Sequence, residues 1–128
     1  MSQTSPSLNL LHPEVGALID GHRVVRSSVA AGGTGVIHEV IDTQGRRCAL
    51  KVLNREKIIQ FLREQRNDIT EQEVDEKYQH YVQLFKGEFQ KLIGLIHPHV
   101  AEAYSFGFCG DHFYFTTEFI EGKPLATY

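Results

Sequence analysis

Cysteine is scarce in this 128-residue chain: there are two, Cys48 and Cys109, too few for a disulfide framework. Cys48 falls in a run expected to be a core strand, so both read as reduced thiols of a cytoplasmic protein. No apolar stretch approaches the roughly 20 residues that span a bilayer. No basic region followed by an apolar run opens the chain either, so no membrane association is expected. Basic charge is not in excess: 13 Lys and Arg against 16 Asp and Glu give a formal net charge of −3, which offers nucleic acid no bulk attraction. Among the seven histidines there is no H-E-x-x-H, and the cysteines are not at ligand spacing. His97 and His99, flanking a proline, therefore read as surface or helix-end residues, and no metal site is expected.

What is present is ordinary for one globular domain: 41% hydrophobic and 23% charged residues. Residues 1–17 read as a flexible tail, loosest to about Leu11, where Ser, Asn, Gln and Thr predominate. The pattern tightens from Leu18. His22–Ala31 and Val36–Asp42 read as strands joined by the turn Gly32-Gly33-Thr34-Gly35. A second turn at Thr43–Arg46 leads to a third strand, Cys48–Leu53. Asn54–His80 is charge-rich, yet Ile58, Ile59 and Leu62 predict a short helix from Arg55 to Arg66, with a break at Asn67-Asp68.

Thr70 and Glu73 have the form of a capping box, opening a long helix that ends at His97-Pro98. Val74, Tyr78, Tyr81, Phe85, Glu88, Leu92 and Leu95 or Ile96 mark its apolar face. Gly87 inside it is costly and suggests close approach by a neighbour. Two more strands, Ala101–Phe108 and His112–Glu118, meet at Cys109-Gly110-Asp111, and Glu121–Pro124 reads as a linker. The expected fold is α+β, a five-stranded antiparallel sheet against one long helix, with an extra helix in a 54–69 insertion.

Two charges stand where the pattern asks for hydrophobes: Lys51 in Cys-Ala-Leu-Lys-Val-Leu, and Glu88 on the helix stripe. Either could face water, Lys51 from an edge strand and Glu88 from the stripe's margin. Buried, they are tolerated only as a pair. The glycine turn upstream is by itself no more than a flexible hairpin. It also leaves room for backbone N–H groups to approach a phosphate.

Taken together, residues 19–125 resemble the N-terminal lobe of a eukaryotic-type protein kinase, most like the bacterial serine/threonine kinases. Cys48-Ala49-Leu50-Lys51 stands at V-A-I-K. Val29–Ile37 stands at G-x-G-x-x-G-x-V, with Ala30 replacing the first glycine. Glu88 precedes His97-Pro98-His99-Val100 as the helix-C glutamate precedes H-P-N-I-V, and Phe113–Gly122 resembles the fifth strand and hinge. The resemblance implies ATP as ligand. Gly32, Gly33 and Gly35 would cover its phosphates, Lys51 would hold the α- and β-phosphates, and Glu88 would pair with Lys51. Val29, Ile37 and Ala49 would form the upper adenine wall, Thr117 the gatekeeper, and the Glu118 and Ile120 backbones the adenine contacts. Leu92 and Ala103 match the lobe's part of the regulatory hydrophobic column.

Residues 119–128 would be the hinge and the start of a second lobe. That lobe carries H-R-D, D-F-G, the Mg2+ ligands and the platform for a protein substrate, and none of those motifs occurs here. The chain alone is therefore expected to be inactive and to bind ATP weakly at most. It is also expected to form a homodimer through exposed apolar surface on helix C and the sheet underside. A pseudokinase-like interaction module and a small-molecule kinase are the alternatives; the His-Pro-His-Val and Glu-Gly wording favours protein kinases over the latter.

Overall fold

β-Branched runs in the first half and aromatic alternation in the second pair into a single antiparallel sheet. The computed structural model describes residues 9–32, 34–94 and 102–120. In chain order it has β1 (Leu18–Ile19), β2 (His22–Ala31), β3 (Gly35–Ile41), β4 (Arg47–Leu53), α1 (Arg55–Gln65), α2 (Glu71–Gly94), β5 (Ala103–Cys109) and β6 (His112–Glu118). The sheet order is β1-β2-β3-β4-β6-β5.

The fold class is the expected one, with one strand more. The sixth is β1, a two-residue element paired to β2 through Asp20 and Gly21, whose φ values of 48° and 84° are both positive. That is the backbone of a tight hairpin whose twist matches its strands. Two residues carry no alternation to detect. The expected end of the long helix at His97-Pro98, the linker Glu121–Pro124 and Gly33 lie outside the described residues.

Successive strand residues face opposite ways, and each face of the sheet has its own core. Val36, Val40, Cys48, Leu50, Val52 and Tyr114 pack on one face with Val24, Ile19, Leu10 and Leu11. The other face is covered by the helices: Ile58, Leu62, Val74, Tyr78, Val82, Phe85 and Leu92 close on Leu53 and Phe115.

The expected tail boundary at residue 17 is corrected by the first core. Leu10 is 0% exposed, and its carbonyl accepts a 2.7 Å hydrogen bond from His38 Nε2. Each buried leucine contributes about 1.5–3 kcal/mol, enough to fix a polar segment that composition alone reads as loose.

Both helices start on side-chain caps. Asn54 Oδ1 accepts from the Lys57 N–H at 3.0 Å. At α2 the capping box is reciprocal: Glu73 N–H donates to Thr70 Oγ1, and Thr70 N–H to Glu73 Oε1, both at 3.1 Å. The stripe of α2 differs by one position from the expected one. Val82, 1% exposed, takes the inward place read for Tyr81, which is half-buried, and Phe89 joins the packing. Steps of three and four are interchangeable in a pattern but not in space, and here the helix turns by fours from Val74 through Tyr78 to Val82. Gly87 meets no neighbour: a Cβ built there finds nothing within 4 Å.

Candidate functional site

On β4, Cys48, Leu50 and Val52 enter the first core, which sends Ala49 and Lys51 to the opposite face. Lys51 pairs across the ladder with Ile37 on one side and Phe115 on the other. Phe115 is packed by Phe85 and Phe89, with ring centroids 4.9 and 5.5 Å away. Glu88, lying between those two phenylalanines in sequence, is thereby turned toward the sheet. Lys51 Nζ donates to Glu88 Oε2 at 2.8 Å, with the two side chains 15% and 33% exposed. The two charges expected to meet do so, the lysine being the more buried of the pair.

The glycine turn sits directly above. A Cβ on Gly35 would lie 3.1 Å from Lys51 Cε and 3.2 Å from the Val52 carbonyl oxygen. A side chain there would press on the lysine stem, which passes beneath it. The turn is closed by Gly32 N–H donating to the Gly35 carbonyl at 2.9 Å, and Ala30 is in the ladder opposite Ile37. It is tied to the start of α1 by Asn54 N–H donating to the Thr34 carbonyl at 2.8 Å and by Lys57 Nζ reaching the Gly32 carbonyl at 3.4 Å. A largely apolar cleft of about 320 Å³, lined by Thr34, Lys57, Ile58, Phe61 and Tyr81, adjoins the turn.

Farther along the same face, Ile37, Phe119 and Ile120 pack around Ala49, which is 2% exposed. Thr117, fully buried, pairs with Ala49, and its hydroxyl donates to the Glu118 carbonyl at 3.2 Å. Glu118 N–H donates to the Glu102 carbonyl at 2.8 Å. Val29, 37% exposed, stands on β2 inside the register shift between Arg26 and Ala30. Leu92 and Ala103 share the second core. The structure thus assembles Lys51, Glu88, Gly32 and Gly35 at one end of the face and Glu118 and Ile120 at the other, with Ile37, Ala49 and Thr117 between them. Among the described residues no group of His, Cys, Asp and Glu is placed to hold a metal ion, and no helix is long and apolar enough to cross a membrane.

His38 and Glu39, both buried, escaped the sequence reading. His38, 0% exposed, donates from Nε2 to the Leu10 carbonyl and accepts at Nδ1 from Ser28 N–H at 2.8 Å, which defines the neutral Nε2–H tautomer. Burial pushes its pKa below the usual imidazole range, against a smaller opposing effect of the Leu10 carbonyl. Glu39, 3% exposed, accepts from Arg26 Nε at 2.5 Å and from Arg47 Nε. Burial raises its pKa, but the Arg47 and Arg26 hydrogen bonds together more than offset this, and the carboxyl is held below its ordinary range. The criterion that singles out Lys51, a charge in an apolar strand, applies equally to Glu39 in Val-Ile-His-Glu-Val-Ile.

No protein-family model matches the chain, and no curated protein does. Solved structures do. The Mycobacterium tuberculosis PknI kinase domain superposes with a TM-score of 0.56 at 19% identity, over 84% of this chain and 36% of that one. The apo form of PpkA-294 gives 0.64 at 20% identity, over 94% and 40%. Rad53 1-466 in complex with AMP-PNP gives 0.54 at 18% identity, over 80% and 22%. The chain thus spans two-fifths or less of each of these three structures. Sheet and helices agree with that partial coverage, and the chain has the fold of a protein-kinase N-terminal lobe.

Proposed function

We propose that this chain is the ATP-binding lobe of a serine/threonine protein kinase, and that phosphoryl transfer to a protein substrate requires a second lobe. The observation that carries the reading is the 2.8 Å contact between Lys51 and Glu88 directly under Gly35. Glu88 orients the ammonium, Lys51 holds the α- and β-phosphates, and Gly32, Gly33 and Gly35 leave space for the turn's backbone to approach them. Ile37 and Ala49, with Val29 at their margin, form the adenine wall; Thr117 stands behind it, and the Glu118 and Ile120 backbones meet the adenine edge. Mg2+ ligands would come from the second lobe, as would the catalytic base. The chain alone then binds ATP weakly and transfers no phosphate. Phe61, Leu84 and Ile93, 48%, 58% and 60% exposed on the two helices, would pair two copies in a homodimer, which sedimentation at high concentration would detect.

The test is a chemical-shift titration of the chain with ATP. Shifts at Gly35, Lys51 and Ala49 are expected, and Lys51→Met should abolish those at the turn. A chain that shows no saturable shifts would refute the reading. One observation favours a second reading, an interaction module without nucleotide: the Gly32 N–H is already used by the Gly35 carbonyl and is not free for a phosphate. That reading predicts the same blank titration.

A further inference from the structure

The edge of the adenine wall is held by a charge network that belongs to neither end of the site. Arg26 on β2 and Arg47 on β4 converge on Glu39 of β3, the middle of the three strands. Glu39 is almost fully buried, while the two arginine side chains are 55% and 43% exposed. Both guanidinium groups lie over the ring of Phe119, at 4.4 Å for Arg47 and 5.9 Å for Arg26. Phe119 N–H also donates to the Arg47 carbonyl at 3.3 Å. Phe119 follows the last residue of β6 and, like Ile120 and Ile37, packs against Ala49.

A buried carboxylate between two guanidinium groups is rigid, because removing either partner leaves an unpaired charge. The planar guanidinium groups carry that rigidity to the aromatic ring stacked beneath them. The ring in turn fixes the backbone on either side of it, which is the Glu118–Ile120 segment.

We infer that Glu39, acting through Arg26 and Arg47 on Phe119, is a positioning residue for the segment that receives the adenine edge. This rests on the ATP reading above, and it deepens that reading by separating the base end of the site from its phosphate end. Lys51 and the glycine turn lie on the far side of Ala49 from Phe119, so loosening the network should affect recognition of the base and spare recognition of phosphate.

The experiment compares ATP with inorganic tripolyphosphate, which keeps the phosphates and lacks the nucleoside, in titrations of the whole chain. Glu39→Gln keeps the shape and removes the charge. It should weaken ATP about fivefold, as expected when a preorganised segment gains freedom, and leave tripolyphosphate unchanged. Amide exchange at Glu118, Phe119 and Ile120 should quicken in parallel. Lys51→Met should weaken both ligands. Phe119→Leu, which keeps the apolar contact and loses the stacking, should reproduce the ATP effect should Glu39→Gln fold poorly.

Equal losses for the two ligands would mean a merely structural role and overturn the inference. So would ATP binding that is unchanged, or tighter because Phe119 acts as a cover. A wild-type chain that binds neither ligand would instead sink the ATP reading, and unaltered exchange at Phe119 in Glu39→Gln would sink the network's role independently of any ligand.

Discussion

Replacing Gly35 by alanine tests the join between the turn and the ion pair. The added Cβ would stand 3.1 Å from Lys51 Cε and 3.2 Å from the Val52 carbonyl oxygen. Ordinary carbon contacts are about 3.5–4.0 Å, so something must move by at least a few tenths of an ångström. The carbonyl is in the backbone of β4 beside its partner strand; the lysine stem is not so fixed, and it is the part that gives. Displacing Cε draws Nζ from Glu88 Oε2, now 2.8 Å away. Mild overpacking costs about 1 kcal/mol, and the half-screened ion pair adds at most about 1 kcal/mol more. Gly35→Ala should therefore lower stability by about 1–2 kcal/mol in urea unfolding and weaken ATP by about three- to tenfold. In a Lys51→Met background the same substitution should cost ATP affinity almost nothing further, because the ammonium it draws away from Glu88 is gone. Full additivity of the two substitutions in ATP affinity would refute the mechanism.

Gly107→Ala should be more damaging. Its Cβ would fall 2.5 Å from Tyr114 Oη, displacing a ring that is 4% exposed and breaking the 2.6 Å bond to Asp20; unfolding should show a loss of about 3 kcal/mol or more. Gly87→Ala, with open space around it, should instead stabilise by about 0.5–1 kcal/mol. His38 should make stability fall with acid. Its folded pKa lies below the unfolded value of 6.5, so the unfolded chain binds more protons, and stability is complete above about pH 6.5 and declines below it. A second proton on Nδ1 would face the Ser28 N–H. His38→Gln should flatten that slope in denaturation measured between pH 5 and 8.

The sheet and the long helix were legible because their patterns are long: ten residues in β2, and a stripe from Val74 to Leu92. Lys51 and Glu88 were legible because each breaks a pattern. What escaped reading has physical causes. Leu10 and Leu11 sit among polar residues, and nothing local shows that a sheet face waits for them. β1 is two residues long. β3 is buried on both faces, so its alternation vanishes and the pattern does not say which face His38 or Glu39 takes, although Glu39 is as visible as Lys51 as a charge in an apolar strand. The partners that explain Glu39, Arg26 and Arg47, are 13 and 8 residues away and meet only through strand register. At Gly87 the sequence shows the helix's weakness, and only the open space around it shows that no packing requires it.

In the proposed function, Lys51 and Glu88 act as one unit on a bound nucleotide. A double-mutant cycle of Lys51→Met and Glu88→Gln, read as ATP affinity, decides it. The prediction is that either single substitution and the double variant lose affinity by similar factors, a coupling of about 1 kcal/mol or more. Independent, fully additive losses, or none, would contradict it.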